Sequence, residues 1–266
     1  MKLLFFQPRV SYYVGGGEII PIYQMMELKK RGHEIDLITT KTDRESEYFK
    51  RLKMSGVNVY EVQKTKFFDK KLGNDELFNF WRKESFSLQT ISKNLINSID
   101  PDLLISQHAL DLKFIDFHPM VLHLHGIPDK RVNSYVDVIK KVDFIISVSQ
   151  NIRDSWRKLY PEFKRKIKVV IKNGIDTDFF RPKKVKKVYD IIYVGRLIKI
   201  KGVEQLLRSQ KDSKLKIIII GDGPEKGRLI RLSRKLKVNA EFKGYIKSEK
   251  LPYFYSKSKI AVFPSL

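Results

Sequence analysis

The amino-acid sequence predicts an α/β protein with parallel sheets arranged in two units. Three observations carry this. Short apolar runs of strand type alternate with stretches of helical spacing along the whole chain. Many of these runs are bounded by glycine or proline and are apolar throughout, as strands covered on both faces are. After the basic stretch "RPKKVKK" (181–187) the alternation begins again.

In chain order, "KLLFFQ" is a strand of buried type. "EIIPIYQMMELKKRG" has helical spacing and stops at Gly32, and "HEIDLITT" is the next strand. "RESEYFKRLKMSG" is a helix closed by Gly56, followed by the strand "VNVYEV". A long helical stretch covers about 75–98 and is broken by "IDPD". Then come the strands "LLIS" and "MVLHLHG", a helix over about 131–141, the strand "DFIISVS", the helix "NIRDSWRKLY" and the strand "KVVI". Beyond 187 the order is "YDIIYVG" (strand), "KGVEQLLRSQ" (helix), "LKIIIIG" (strand), "EKGRLIRLSRKL" (helix), "AEFKGY" (strand), "SEKLPYFYSKS" (helix) and "KIAVFPSL" (strand). The expected domains are 1–180, a basic linker at 181–187, and 188–266.

The 266 residues suffice for one large or two modest domains, and 42% hydrophobic content is that of a folded chain. No apolar run approaches the roughly 18–20 residues of a membrane span. The start, "MKLLFFQPRV", is too short in apolar content for a leader, so a cytoplasmic protein is expected. The absence of cysteine excludes disulfides and thiolate metal sites. The charge is unusual: 53 Lys plus Arg against 30 Asp plus Glu, a net of +23. Either a lysine-rich composition solvates ordinary surfaces, or the protein meets an anionic partner such as nucleic acid, a membrane face or a phosphorylated substrate. No nucleic-acid recognition motif is present, and no specific nucleic-acid partner is expected.

Four constellations carry candidate chemistry. "YVGGGEII" places Gly15, Gly16 and Gly17 between the first strand and the first helix. Backbone N–H groups there form an anion site, or the glycines form a flexible turn. It is not G-x-G-x-x-G, and "LITT" ends the second strand without a ribose-binding acid, so a nicotinamide site is not expected. "YVGRLIKIKGVEQLL" ends a strand at Gly195, then supplies Arg196 and Lys201 before a helix. An arginine fork and a lysine point charge at the carboxyl edge of a sheet suit a diphosphate. "HLHG" puts His123 and His125 on one strand face, and "LLISQHAL" adds His108. A polar ligand contact or a satisfied half-buried histidine is expected there, not a metal. "IIIIGDGPEKGRL" repeats the strand–glycine–helix arrangement with Gly223, and Asp222 fixes the turn.

Taken in order, "GGGE", "HLHG", "KNGIDTDFFRP", "VGRLIKIKG", "IGDGPEKGRL" and "FKGYIKSEKLPYFYSKSKIAVFPSL" resemble the retaining glycosyltransferases of family 4. The resemblance covers most of the chain and is loosest over 40–100. It implies the GT-B fold, two Rossmann-like domains with parallel sheets, and transfer of a sugar from a nucleotide-sugar donor with retention. The acceptor is a glycan, a lipid-linked sugar or a small molecule, and neither metal nor other cofactor is needed. The first domain is then the acceptor side and the second the donor side, with the donor in the cleft between them. Arg196 and Lys201 match the basic pair on the donor diphosphate, beside Gly195 and Gly223. Gly15 and Gly16, with Gly17 in the variable place, match the loop facing the donor phosphates. His125 matches the histidine beside the transferred sugar. Tyr245 and Ile246 match the stretch that meets the base, and Asn173, Gly174 and Asp176 match a boundary signature. The family continues beyond "PSL" with an acidic, glycine-rich loop, whereas this chain stops at Leu266. The expectation is a chain cut short in its second domain with little or no transferase activity, or a non-catalytic binding remnant. The basic surface fits a peripheral contact with an anionic inner membrane face.

Overall fold

The protein is seen here in a computed structural model that describes residues 1–8, 10, 16–40, 42, 44–63, 74–128 and 135–266. The chain divides into two compact units, Met1–Gly174 and Ile175–Leu266. Residues 181–187 fall in the second unit. There Lys183 N–H donates to Ser256 Oγ (2.8 Å) and Lys187 Nζ to the Ser258 carbonyl (2.6 Å).

The first unit runs β1 (Lys2–Phe6), α1 (Gly16–Lys30), β2 (Glu34–Thr40), α2 (Glu47–Met54), β3 (Asn58–Gln63), α3 (Asn74–Ile91), α4 (Lys93–Ile99), β4 (Leu103–Ser106), β5 (Met120–Leu124), α5 (Tyr135–Lys141), β6 (Phe144–Ser147), α6 (Gln150–Leu159) and β7 (Ile167–Val170). The strands form one parallel sheet in the order β3-β2-β1-β4-β5-β6-β7. Alternation along β1 explains why the sheet is covered on both faces. Leu4 and Phe6 join the cluster that holds Leu104, Leu122, Val138 and Trp156. Leu3 and Phe5 join Ile35, Leu37, Ile22, Met25 and Leu52 on the other side. Each fully buried side chain of this size contributes about 1.5–3 kcal/mol. Pro21 lies inside α1 and offers no N–H to the turn before it, yet the helix continues to Lys30. Burial of Ile22 and Met25 against the sheet holds it in place.

The helix expected over 75–98 is two segments parted only by Ser92, whose N–H still reaches the Leu88 carbonyl and whose own carbonyl takes the Ile96 N–H. It ends at Asp100, in the left-handed region (φ 49°), just before Pro101. The start of the helix expected from 131 lies outside the described residues, and α5 is seen from Tyr135.

The second unit runs β8 (Tyr189–Val194), α7 (Val203–Ser209), β9 (Ile217–Ile220), α8 (Lys226–Lys235), β10 (Ala240–Gly244), α9 (Leu251–Ser256) and β11 (Ser258–Ala261). Its parallel sheet has the order β10-β9-β8-β11. The final strand is shorter than "KIAVFPSL" suggests. Its last paired residue is Ala261, Val262 N–H still donates to the Ile192 carbonyl (2.9 Å), and Pro264 has no N–H to extend the ladder. No described helix is long and apolar enough to cross a membrane.

Candidate functional site

Each sheet reverses its winding once, between β1 and β4 in the first unit and between β8 and β11 in the second. Open α/β sheets bind ligands beyond the carboxyl ends of the strands at such a reversal. Gly16 and Gly17 follow β1 at the first reversal and Gly195, Arg196 and Lys201 follow β8 at the second, while His125, Gly223 and Tyr245 follow β5, β9 and β10, strands further along the two sheets.

In the second unit Val194, Ile220 and Gly244 stand level on neighbouring strands, so Gly195 and Gly221 begin adjacent loops. Gly195 N–H donates to the Ile220 carbonyl (3.0 Å), and Gly221 N–H to the Gly244 carbonyl (2.7 Å). Leu197 N–H then reaches the Asp222 carbonyl (2.8 Å), lacing the two loops together. Gly221 has φ +136°, and a Cβ there would overlap the Gly195 carbonyl oxygen. A Cβ on Gly223 would sit 2.9 Å from the Leu197 nitrogen. Only glycine lets the loops approach so closely.

Arg196 is exposed at the start of its loop. Lys201 is half-buried in the short 3-10 turn Lys199–Lys201 that leads through Gly202 into α7. On the far side of this loop Leu266 N–H donates to the Ile200 carbonyl (2.9 Å). Several neighbouring cations are matched: Lys226 with Asp222, Arg228 with Glu204 and Glu225, Lys259 with Asp190. Arg196 and Lys201 have no carboxylate partner among the described residues. Asp222 does shape its turn as expected, its Oδ1 accepting from the Gly223 N–H (2.8 Å). Tyr245 follows Gly244 and is 58% exposed, while Ile246 packs on the cluster of Tyr189, Ile192, Ile218 and Ile220. This edge offers two unmatched cations, closely packed glycine loops and an open aromatic ring.

In the first unit Gly16 and Gly17 open α1, and Gly15 lies outside the described residues. Phe6 is level with Ile38 and Ser106, and Ser106 with Leu122. The next residue along each of these strands is polar and buried: Thr39, Gln7, Gln107 and His123. Among the described residues Thr39 Oγ1, Gln7 Oε1 and His123 Nε2 have no hydrogen-bond partner. His123 and His125 share a face as the sequence predicts, with ring centroids 5.4 Å apart edge to face. His125 is half-buried, and His108 is exposed.

Burial pushes the His123 imidazole from 6.5 down to about 4. Burial, helped by the charges of His123 and His108, does the same to His125. Both rings are therefore neutral near pH 7, and His125 can exchange hydrogen bonds with a hydroxyl without carrying charge. The sequence reading missed Gln24 and Gln107, which bond these rings. Their only local signal was a polar residue directly after the strand "LLIS" and another on the sheet-facing side of the first helix. Asn173 and Gly174 are exposed, and Asp176 Oδ1 accepts from the Phe179 N–H (2.9 Å), closing a turn at the start of the second unit. Among the described residues no group of three or more His, Asp or Glu is placed to hold a metal ion.

Two α/β units with parallel sheets of this kind match the architecture of GT-B glycosyltransferases. Residues 14–179 match the family described as Glycosyltransferase Family 4, and residues 174–266 match Glycosyl transferases group 1. The chain belongs to the family described as Glycosyltransferase Family 4, whose match spans more than half of it, its second unit matches Glycosyl transferases group 1, and it is a glycosyl transferase enzyme by family. It is 26% identical, over 90% of its own length and 68% of the relative's, to an uncharacterized glycosyltransferase of Methanocaldococcus jannaschii. In fold it is similar to Anabaena Alr3699/HepE in complex with UDP, with TM-score 0.69 and 18% identity, covering 100% of this chain and 74% of the other. It is also similar to the catalytic domain of Starch Synthase IV from Arabidopsis thaliana bound to ADP and acarbose, with TM-score 0.71 and 12% identity, covering 100% and 78%.

Proposed function

We propose that the enzyme moves a sugar from a nucleotide-sugar donor to a glycan, a lipid-linked sugar or a small-molecule acceptor, with retained anomeric configuration. The second unit takes the donor: Arg196 and Lys201 bind its diphosphate, Gly195 and Gly223 admit it to the backbone, and Tyr245 and Ile246 meet the base. The first unit takes the acceptor, with Gly15, Gly16 and Gly17 facing the donor phosphates and His125 beside the transferred sugar. The bond from the anomeric carbon to the diphosphate breaks, and the acceptor oxygen bonds to that carbon on the same face. The acceptor's proton passes to the departing phosphate oxygen, so no protein nucleophile is needed. The two cations stabilise the charge that gathers on the leaving diphosphate, and such contacts are worth roughly 3–4 kcal/mol at most. The work takes place in the cytoplasm, with the basic surface resting on an anionic membrane face when the acceptor is lipid-linked.

The observation that carries this reading is the pair of cations without carboxylate partners at the winding reversal of the second sheet. Both relatives of similar fold hold a nucleoside diphosphate, UDP or ADP. Titration calorimetry of the chain with UDP and with ADP tests it. Binding of either is expected. Arg196→Ala and Lys201→Ala should each weaken it roughly tenfold or more, since a hydrogen bond to a charged group is worth about 1.5–3 kcal/mol. Unchanged affinity in both variants would refute the assignment.

A further inference from the structure

The hydrogen bonds around His125 have a direction. His125 Nε2 lies 2.6 Å from Gln107 Oε1. Gln107 Nε2 donates to Gln24 Oε1 (3.0 Å), and Gln24 Nε2 stands 3.1 Å from His123 Nδ1. An amide oxygen only accepts and an amide nitrogen only donates. So His125 Nε2 must carry its proton, and His123 Nδ1 must be a bare acceptor. His123 Nδ1 also lies 3.3 Å from Gln107 Oε1, but that pair is then acceptor against acceptor. The opposite direction, with both amides turned over, would set nitrogen against nitrogen at 2.6 Å, too close for such a pair. The relay is buried at Gln107 and His123, 2% and 6% exposed, so water does not compete for it. It starts on α1, crosses the loop after β4 and ends on β5, and so joins the two sides of the winding reversal.

We propose that Gln24 and Gln107 form a one-way relay that holds His125 as its Nε2–H tautomer, leaving Nδ1 as the hydrogen-bond acceptor that meets the ligand. Among the described residues Nδ1 has no partner. A neutral ring with an open acceptor suits a sugar hydroxyl, which can donate. It does not suit a phosphate oxygen, which is itself an acceptor. Gln24 and Gln107 are positioning residues, and His123 closes the far end of the relay. The ligand half rests on the reading that His125 faces the transferred sugar; the tautomer half stands without it.

The test is a long-range proton–nitrogen correlation spectrum of the chain labelled with 15N-histidine, at neutral pH. In the wild type His125 should show a protonated Nε2 and an unprotonated Nδ1. Gln24 does not touch His125, so a bystander Gln24 would leave that pattern alone. With Gln24→Met, Gln107 is free to turn, and His125 should become a mixture of tautomers. With Gln24→Glu, a carboxylate again accepts from Gln107 Nε2, and the single tautomer should return. A melting curve for each variant separates loss of the relay from loss of the fold, and the wild-type spectrum tests the tautomer by itself if Gln24→Met unfolds. A protonated Nδ1 in the wild type, or a pattern unmoved by Gln24→Met, would overturn the relay. Methyl glucoside at high concentration should shift Nδ1 of His125, and sulfate, which has no proton to donate, should not. No shift with the glycoside, or a shift with sulfate, overturns the ligand half. The relay result does not depend on nucleotide affinity, so its failure is distinct from failure of the proposed function.

Discussion

Replacing Gly221 with alanine strikes the point where two loops of the second sheet meet. Gly221 has φ +136°, a region that side chains avoid, and such backbone strain costs of order 1–3 kcal/mol. The new Cβ would also overlap the Gly195 carbonyl oxygen, so the two loops must part. Parting them loosens Gly195 N–H to Ile220 and Gly221 N–H to Gly244, each worth about 1 kcal/mol net. The expected loss is about 3–5 kcal/mol in all. In a unit of roughly 90 residues that lowers the melting temperature by at least about 10 °C. Gly227→Ala is the internal control. Gly227 lies in α8 with ordinary backbone angles, its nearest outside atom 3.6 Å away, and alanine there should stabilise by about 0.5–1 kcal/mol. Urea titration followed by circular dichroism reads both. A Gly221→Ala loss below about 1 kcal/mol, or two glycine variants that behave alike, would show that the packing argument is wrong.

Two further expectations concern the first unit. Its buried histidines make stability depend on pH. His123 has an ordinary value of 6.5 but about 4 in the fold, so the unfolded chain binds protons first as pH drops. The stability it contributes is whole above pH 6.5 and falls away toward about 4, by no more than about 3.5 kcal/mol. Urea midpoints at about pH 7 and about pH 5 should therefore differ more in the wild type than in His123→Gln, and an equal shift would refute this. Lys166 Nζ donates to the carbonyls of Ile139 (3.1 Å), Lys140 (2.7 Å) and Val142 (2.9 Å), closing the C-terminal end of α5. Lys166→Met should cost about 1–2 kcal/mol in the same titration, and a neutral result would mean that water replaces the lysine freely.

The eleven strands among the described residues were readable because apolar runs such as "KLLFF" and "IIII" are long enough to bury and are closed by polar or glycine positions. Arg196 and Lys201 stood out because a glycine at a strand end, a fork-shaped cation and a second cation before a helix are all local in sequence. The single-residue break at Ser92 was not legible, because helical spacing continues across it. Nor was the short final ladder of β11, because "KIAVFPSL" keeps strand character up to its proline.

The sequence by itself determined the order of elements and the residues that stand at each strand end. Both follow from period, turn chemistry and chain connectivity within about a dozen neighbours. It could not say which cations remain unmatched: Lys226 and Arg228 have Asp222 and Glu225 close by in sequence (i,i+4 and i,i+3), but Arg228 meets Glu204 and Lys259 meets Asp190 only in the fold. It could not show the relay either: Gln107 and Gln24 lie 83 positions apart, and Gln24 and His123 lie 99 apart. Those bonds exist because β1, β4 and β5 lie side by side in the sheet and α1 brings Gln24 to Gln107 and His123. The hydrogen-bond direction that selects one tautomer of His125 is therefore a property of the tertiary structure alone.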